Sequence, residues 1–293
     1  MTSFTASTLT IGGDLQVGRL GFGAMQLTGK QVWGDYPDRE GGIALLRAVV
    51  DAGITFIDTA DVYGPHSNEI LIREALHPYP KGLVIATKGG FVRGGYDYST
   101  LGAVGNPNYL RQSAHMSARR LGVDSIDLYY LHSGQATDTP FEEQVATLAA
   151  LRDEGLIRHI GLSNVTLAQF ELAQTITPIA AATALYNTGN RRGVDLLRAA
   201  EKVGAVFSPW HPMSLEDGGD PERITAALEP IAQNHDATVH QIALAWHLHR
   251  AAHTVPIPGT TSIGHLESNL QAAAIRLTDD EVTTITRLVT EAE

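Results

Sequence analysis

Short runs rich in Val, Ile and Leu alternate along the chain with longer stretches whose apolar residues recur every three or four positions. The short runs predict strands near 20–24, 54–58, 83–88, 126–131, 157–162, 180–185, 204–208 and 254–257. The longer stretches predict helices over Arg39–Ala52, Ser67–Leu76, Asn108–Leu121, Phe141–Glu154, Leu167–Ile176, Arg192–Val203, Val239–Arg250 and Ile263–Ala273. Eight strand-then-helix units are the pattern of an α/β fold with a parallel sheet closed on itself, a (β/α)8 TIM barrel. Three helix starts have the capping-box spacing: Thr166 with Gln169, Thr238 with Gln241, and Thr278 with Glu281. Before the first barrel strand, Ile11-Gly12-Gly13-Asp14-Leu15 within Leu9–Val17 predicts a short hairpin that plugs the barrel floor. At the other end, Asp279–Ala292 predicts an extra helix against the wall.

The length of 293 residues suits one such barrel, which needs about 250, and no linker or composition shift divides the chain, so residues 1–293 are expected to form a single domain. A net charge of −11 argues against nucleic acid or an anionic membrane surface as partner, because both need clustered positive charge. The chain has no cysteine, which excludes disulfides, thiolate metal sites and a thiol nucleophile. No apolar run approaches the roughly 18 residues of a membrane span, and the first residues lack the basic-then-apolar pattern of a leader. A cytoplasmic location is the expectation.

Asp-Thr-Ala-Asp-Val-Tyr-Gly at 58–64 follows an apolar run and places a carboxylate and a phenol five residues apart. Lys88 ends the next such run and His132 the one after, so all four groups fall at the C-terminal ends of barrel strands, where barrel sites lie. A phenol ordinarily titrates near 10, so as a proton donor at neutral pH Tyr63 needs a neighbour that stabilises the tyrosinate; Lys88 can do so, held and polarised by Asp58. His132 can orient a carbonyl oxygen. A purely structural account of the same residues has an ion pair at the barrel mouth, a packed loop tyrosine and a core histidine. Asp61 and Tyr129 read as structural. A metal-dependent barrel enzyme is weakly supported, since the twelve histidines show no paired-ligand spacing at strand ends.

In Gly-Phe-Gly-Ala-Met at 21–25, Phe-Ile-Asp-Thr-Ala-Asp-Val-Tyr-Gly at 56–64, Thr87-Lys88, Leu131-His132, Gly-Leu-Ser-Asn at 161–164 and Ile-Pro-Gly-Thr at 257–260, the chain resembles the aldo-keto reductases over nearly its whole length. The resemblance implies that Asp58, Tyr63, Lys88 and His132 form the catalytic tetrad of an NADPH-preferring enzyme that reduces an aldehyde or ketone, with Tyr63 as general acid. It also implies a small-molecule carbonyl substrate and a monomer. The same scaffold resembles the β subunits of voltage-gated potassium channels, so a cofactor-binding sensor or regulatory subunit is the rival function.

For the cofactor, the resemblance implies contacts from Gly23, Met25, Ser163, Asn164, Thr183, Trp210, His211, Met213, Gly259, Thr260, Thr261, His265, Ser268 and Asn269. Trp210 would stack on the nicotinamide. Asn164 looks free to bond the carboxamide, since Thr166 already caps the next helix. The loop at 258–262 opens a helix whose N-terminus suits phosphate. Three departures from the family pattern stand out: Thr183 replaces a glutamine, Gly259 a lysine and His265 an arginine. The last two remove cations that favour a 2′-phosphate, so NADH is less excluded than usual. Trp33 and Tyr36 in the loop from Met25 to Tyr36, with Phe91, Arg93, Tyr96 and Tyr98 in the Gly-rich stretch 89–106, could line an aromatic substrate mouth, Trp33, Phe91 and Tyr96 foremost. The motifs look most like the bacterial branch that includes pyridoxal reductases, which implies an aromatic or heteroaromatic aldehyde.

Overall fold

Gly12 and Gly13 both adopt positive φ (61° and 89°), and there the chain reverses between β1 (Thr8–Ile11) and β2 (Leu15–Gly18). These strands pair antiparallel, and Ile11, Leu15 and Val17 are buried in a cluster with Phe56, Leu128, Tyr130, Ala181 and Val206, residues from inside the barrel. The expected floor plug is present in the computed structural model, which describes residues 7–218 and 220–289.

The barrel wall is a parallel sheet in which β3 (Phe22–Gly23), β4 (Phe56–Asp58), β5 (Val84–Gly89), β8 (Ile126–Leu131), β9 (Ile157–Ser163), β10 (Ala181–Leu185) and β11 (Val206–Trp210) are neighbours in that order. Between β5 and β8 the chain forms a small antiparallel hairpin, β6 (Phe91–Arg93) with β7 (Leu101–Ala103). The predicted strand at 254–257 closes the ring without becoming a regular ladder. On one side Thr254 bridges Phe207, and on the other the carbonyls of Pro256 and Pro258 accept from the amides of Gly21 and Gly23 at 3.0 and 3.3 Å. Two prolines in Val-Pro-Ile-Pro remove alternate N–H donors, so the segment accepts hydrogen bonds where an ordinary strand would also donate.

Helices α1 (Arg39–Asp51), α2 (Ser67–Leu76), α3 (Pro107–Leu121), α4 (Phe141–Asp153), α5 (Leu167–Ile176), α6 (Val194–Val203), α8 (Val239–Arg250) and α9 (Ile263–Ala272) match the eight predicted to within two residues. All three capping boxes form. One further helix, α7 (Pro221–Asn234), is not among those predicted and intervenes between β11 and α8. Pro230 lies inside it and cannot donate to the preceding turn, which disguises the helix; yet Asp220, accepting from the Arg223 amide at 3.0 Å, and Pro221 in the first turn are sound start signals. The C-terminal α10 spans Asp279–Thr286, and the last residues of the predicted helix lie outside the described residues. Among the described residues no helix is long and apolar enough to cross a membrane.

Candidate active site

The C-terminal ends of the strands surround a cavity of about 630 Å³. Asp58 ends β4, Lys88 lies near the end of β5, His132 directly follows β8, and Tyr63 projects from the loop after β4; all four line this cavity. Asp58 and Lys88 are each 3% exposed and form a short ion pair. The Lys88 ammonium also donates to the Thr59 carbonyl at 2.8 Å and approaches the Tyr63 hydroxyl at 3.5 Å. Its three N–H groups are thus directed at a carboxylate, a backbone oxygen and the phenol.

Burial pulls the Lys88 ammonium down, but Asp58 and Tyr63 beside it outweigh burial and hold its pKa above the usual lysine value. Burial likewise pushes the Tyr63 phenol up, and the attraction of Lys88 does not cancel it. The sequence alone points to Lys88 bringing Tyr63 down; in the folded chain desolvation wins. Tyr63 is therefore a neutral O–H at physiological pH, and a cation waits beside it for the anion it would become. Burial, with Lys88 adding to it, drives His132 well below the ordinary histidine value. Its ring is neutral, and its Nδ1 is buried with no hydrogen-bond partner among the described residues. The rings of Phe91 and Tyr63 stand edge-on to it, with centroids 4.8 and 6.0 Å away.

A second polar set forms the cavity's other wall. Asn164 takes a left-handed backbone (φ 52°), donates to the Ser163 hydroxyl at 3.0 Å, and accepts from the Trp210 indole at 3.2 Å. The side chain is thus less free than its sequence context indicates, although one amide hydrogen and one lone pair remain. Thr183 lines the cavity but gives its hydroxyl proton to the Ser208 carbonyl at 2.6 Å, so it offers a ligand only an acceptor. Gly23, Met25, His211, Met213 and Gly259 also line the cavity. Gly23 and Gly259 sit back to back: a Cβ on Gly23 would lie 2.7 Å from the Ile257 oxygen, and one on Gly259 2.8 Å from the Gly23 oxygen.

Beyond Gly259 the chain leads into α9 through Thr260, Thr261 and Ser262. Ser262 caps the helix, accepting from the His265 amide, while the Thr260 hydroxyl accepts from the Ser262 amide at 3.0 Å. His265 is exposed, Ser268 partly buried and Asn269 buried, on the first turns of the same helix. These residues continue the cavity's edge but do not line it. Trp33 and Tyr96, expected at the substrate mouth, do not line it either, whereas Phe91 does. Trp33 packs on Arg93, and Tyr96 occupies the hairpin tip with 54% exposure. Tyr98, Leu101 and Val62 take the places at the wall. The pairing of β6 with β7 decides which hairpin side chains face inward, and Gly-rich sequence conceals that pairing.

Behind Lys88 lies a buried network that the sequence reading leaves as structural. Ser113 donates to Asp61 at 2.6 Å and meets the Tyr129 hydroxyl at 3.0 Å; Glu69 accepts from Thr87 and from Arg120, each at 2.6 Å. One arginine faces two buried carboxylates. Burial, reinforced by Glu69, pushes Asp61 up to about 7. The folded chain therefore holds this proton more tightly than the unfolded chain, so stability is lost as pH rises from 3.8 to about 7 and is level above that. At 1.36 kcal/mol per pKa unit the loss is up to roughly 4 kcal/mol. Asp61→Asn is expected to flatten this part of the melting-temperature profile, measured against wild type at matched pH values; parallel profiles would refute the assignment.

Residues 19–290 match the aldo/keto reductase family. The chain is 37% identical over 287 residues to pyridoxine 4-dehydrogenase of Escherichia coli, covering 96% of this chain and 98% of that one. Among solved structures it resembles a thermostable aldo-keto reductase in complex with the inhibitor epalrestat (TM-score 0.84, 30% identity, 97% of this chain and 100% of that one). It also resembles an aldo/keto reductase from Klebsiella pneumoniae in complex with NADP and acetate (TM-score 0.79, 25% identity, 97% and 95%). With its barrel, its match from end to end of these relatives, and its cavity at the strand ends, the chain belongs to the aldo/keto reductase family, oxidoreductases acting on carbonyl compounds.

Proposed function

We propose that the chain uses NADPH to reduce an aldehyde or ketone to the alcohol, with Tyr63 as general acid. The observation that carries this reading is the buried Asp58–Lys88–Tyr63 chain ending on the cavity beside a neutral His132. When bound, the reduced nicotinamide supplies hydride to the carbonyl carbon. The chain's own residues do the rest. The Tyr63 hydroxyl gives its proton to the carbonyl oxygen as that oxygen becomes an alkoxide, and the nearby Lys88 ammonium stabilises the tyrosinate left behind. His132, uncharged, can donate one hydrogen bond to the same oxygen and fix its direction. Phe91, Tyr98 and Val62 keep water from the reacting face.

The residues present fit the cofactor. Asn164 and Ser163 have hydrogen-bonding capacity left for a carboxamide, and the Trp210 ring beside them offers a face to an aromatic ring. The bare backbones at Gly23 and Gly259 leave the floor free of side chains, and the N-terminus of α9 past Thr260 and Thr261 suits phosphate. His265, Ser268 and Asn269 would meet the adenosine end. Neither Gly259 nor His265 supplies a fixed cation, so NADH is admitted as a slower alternative. Met25, Phe91, Tyr98 and Leu101 make the substrate end apolar and aromatic, which favours aromatic aldehydes such as pyridoxal. The test is a panel of aromatic and aliphatic aldehydes with NADPH and then NADH, followed by the coenzyme's near-ultraviolet absorbance. Higher kcat/KM for pyridoxal and benzaldehyde-like compounds than for short aliphatic aldehydes is expected; the reverse order would overturn the substrate assignment.

A further inference from the structure

The tip of the loop between Met25 and Tyr36 carries two successive non-glycine residues in the left-handed region, Gln31 (φ 59°) and the β-branched Val32 (φ 55°). Such a pair is unfavourable by itself and persists only where surrounding contacts hold it. The loop's two ends are well anchored. Asn68 donates to the Ala24 and Leu27 carbonyls at 2.9 Å each, and Ser67 donates to the Gly34 carbonyl at 2.8 Å. Between those anchors, one side chain from across the cavity mouth reaches the strained turn.

That side chain is Arg93, at the end of β6. One guanidinium nitrogen donates to the Gln31 and Val32 carbonyls at 3.0 and 3.1 Å, and another donates to the Tyr96 carbonyl in its own hairpin at 2.7 Å. The guanidinium carbon also lies 5.2 Å from the centre of the Trp33 ring and 5.1 Å from that of Tyr98. It thus touches the Met25–Tyr36 loop and the hairpin by both hydrogen bonds and ring faces. Among the described residues, the hydrogen bonds joining the loop tip to the hairpin all come from Arg93. A planar fork of five N–H groups can do this at once; an ammonium on a flexible stem cannot.

The two segments so joined bear the substrate end of the cavity. Met25 and Gln26 come from the loop, and Phe91, Tyr98 and Leu101 from the hairpin. Phe91 packs edge-on against His132, and Tyr98 is close enough to Tyr63 to act on its ionisation. The base of the hairpin is held separately, by Tyr109 donating to the Phe91 carbonyl at 2.6 Å, while its outer half, braced internally by the Gly94 amide on the Thr100 carbonyl, is tied to the loop by Arg93.

We propose that Arg93 is a positioning residue that latches the Met25–Tyr36 loop to the β6–β7 hairpin, and thereby sets the selectivity of the site for planar aromatic carbonyl substrates. Arg93 acts through Tyr98 and Phe91 and touches neither the reacting atoms nor the coenzyme wall. Its catalytic meaning rests on the carbonyl-reductase reading; the latch itself does not.

The test compares wild type with Arg93→Met and Arg93→Lys in the full chain. Amide hydrogen exchange is read over residues 26–36 and 91–103, beside KM and kcat for an aromatic and a short aliphatic aldehyde and the Kd for NADPH. In Arg93→Met, exchange should accelerate in both segments and nowhere else. KM for the aromatic aldehyde should rise about tenfold, the loss of roughly one partly exposed cation–π and hydrogen-bond set. Its kcat, the aliphatic KM and the NADPH Kd should stay within about twofold. Arg93→Lys should recover only part of the aromatic KM, because it restores charge without the fork. Unchanged exchange in both segments would overturn the latch whether or not the chain reduces carbonyls. Faster exchange with an unchanged aromatic KM would overturn its role in selectivity, as would an equal loss for both aldehydes together with weakened coenzyme binding.

Discussion

Tyr63→Phe is expected to lower turnover with any aldehyde by roughly a thousandfold, within the range that a positioned general acid contributes. The substitution removes one oxygen and keeps the ring that stands edge-on to His132. Lys88 loses its weakest polar contact, at 3.5 Å, and keeps Asp58 and the Thr59 carbonyl. The ion pair and the cavity wall should therefore survive, and the NADPH dissociation constant should stay within about twofold. Steady-state rates at saturating aldehyde, with coenzyme binding followed by tryptophan fluorescence, check both halves. Turnover near the wild-type value would mean that Tyr63 is not the proton donor.

Lys88→Met should damage both turnover and stability, for two separable reasons. Turnover should fall roughly a hundred- to a thousandfold, because the tyrosinate formed in the proton transfer loses its cation. The fold should also suffer, since Asp58 is left as a buried charge without its counterion, a situation that costs about 3–5 kcal/mol. The double variant Asp58→Asn with Lys88→Met separates the two effects. It should regain much of the melting temperature, because the uncompensated charge is gone, and regain no activity, because the cation is still missing. A double variant that recovered turnover would show that Lys88 matters only as a partner for Asp58.

The four polar groups are legible in the sequence because each follows an apolar run, and in a parallel barrel the ends of such runs converge on one mouth. Asp58, Tyr63, Lys88 and His132 are scattered over 75 residues of sequence and meet around one cavity. Less legible is whatever depends on a backbone partner that local pattern does not reveal. Pro230 disguises α7, and Pro256 and Pro258 leave the eighth strand only acceptors on the side that faces Gly21 and Gly23. Asn164 looks uncommitted in sequence because its partners, Ser163 and Trp210, are set by its left-handed backbone. Composition signals an aromatic mouth and picks out Phe91 and Tyr98, which line the cavity, together with Trp33 and Tyr96, which do not. Trp33 and Tyr96 face Arg93 and solvent, while Tyr98 and Leu101 face inward. The direction of the shift at Tyr63 is hidden as well, because a sequence reveals a neighbouring lysine more readily than the desolvation that outweighs it.

In the proposed reaction a neutral Tyr63, backed by Lys88, delivers the proton. The decisive measurement is aldehyde-dependent NADPH oxidation by the intact chain, followed from acid to alkaline pH. With His132 held neutral and Tyr63 above the ordinary phenol value of about 10, kcat/KM should show no His132 limb near neutrality and should fall on a single alkaline limb as the phenol ionises. Tight NADPH binding without oxidation by any aldehyde, or an alkaline limb unchanged in Tyr63→Phe, would contradict it.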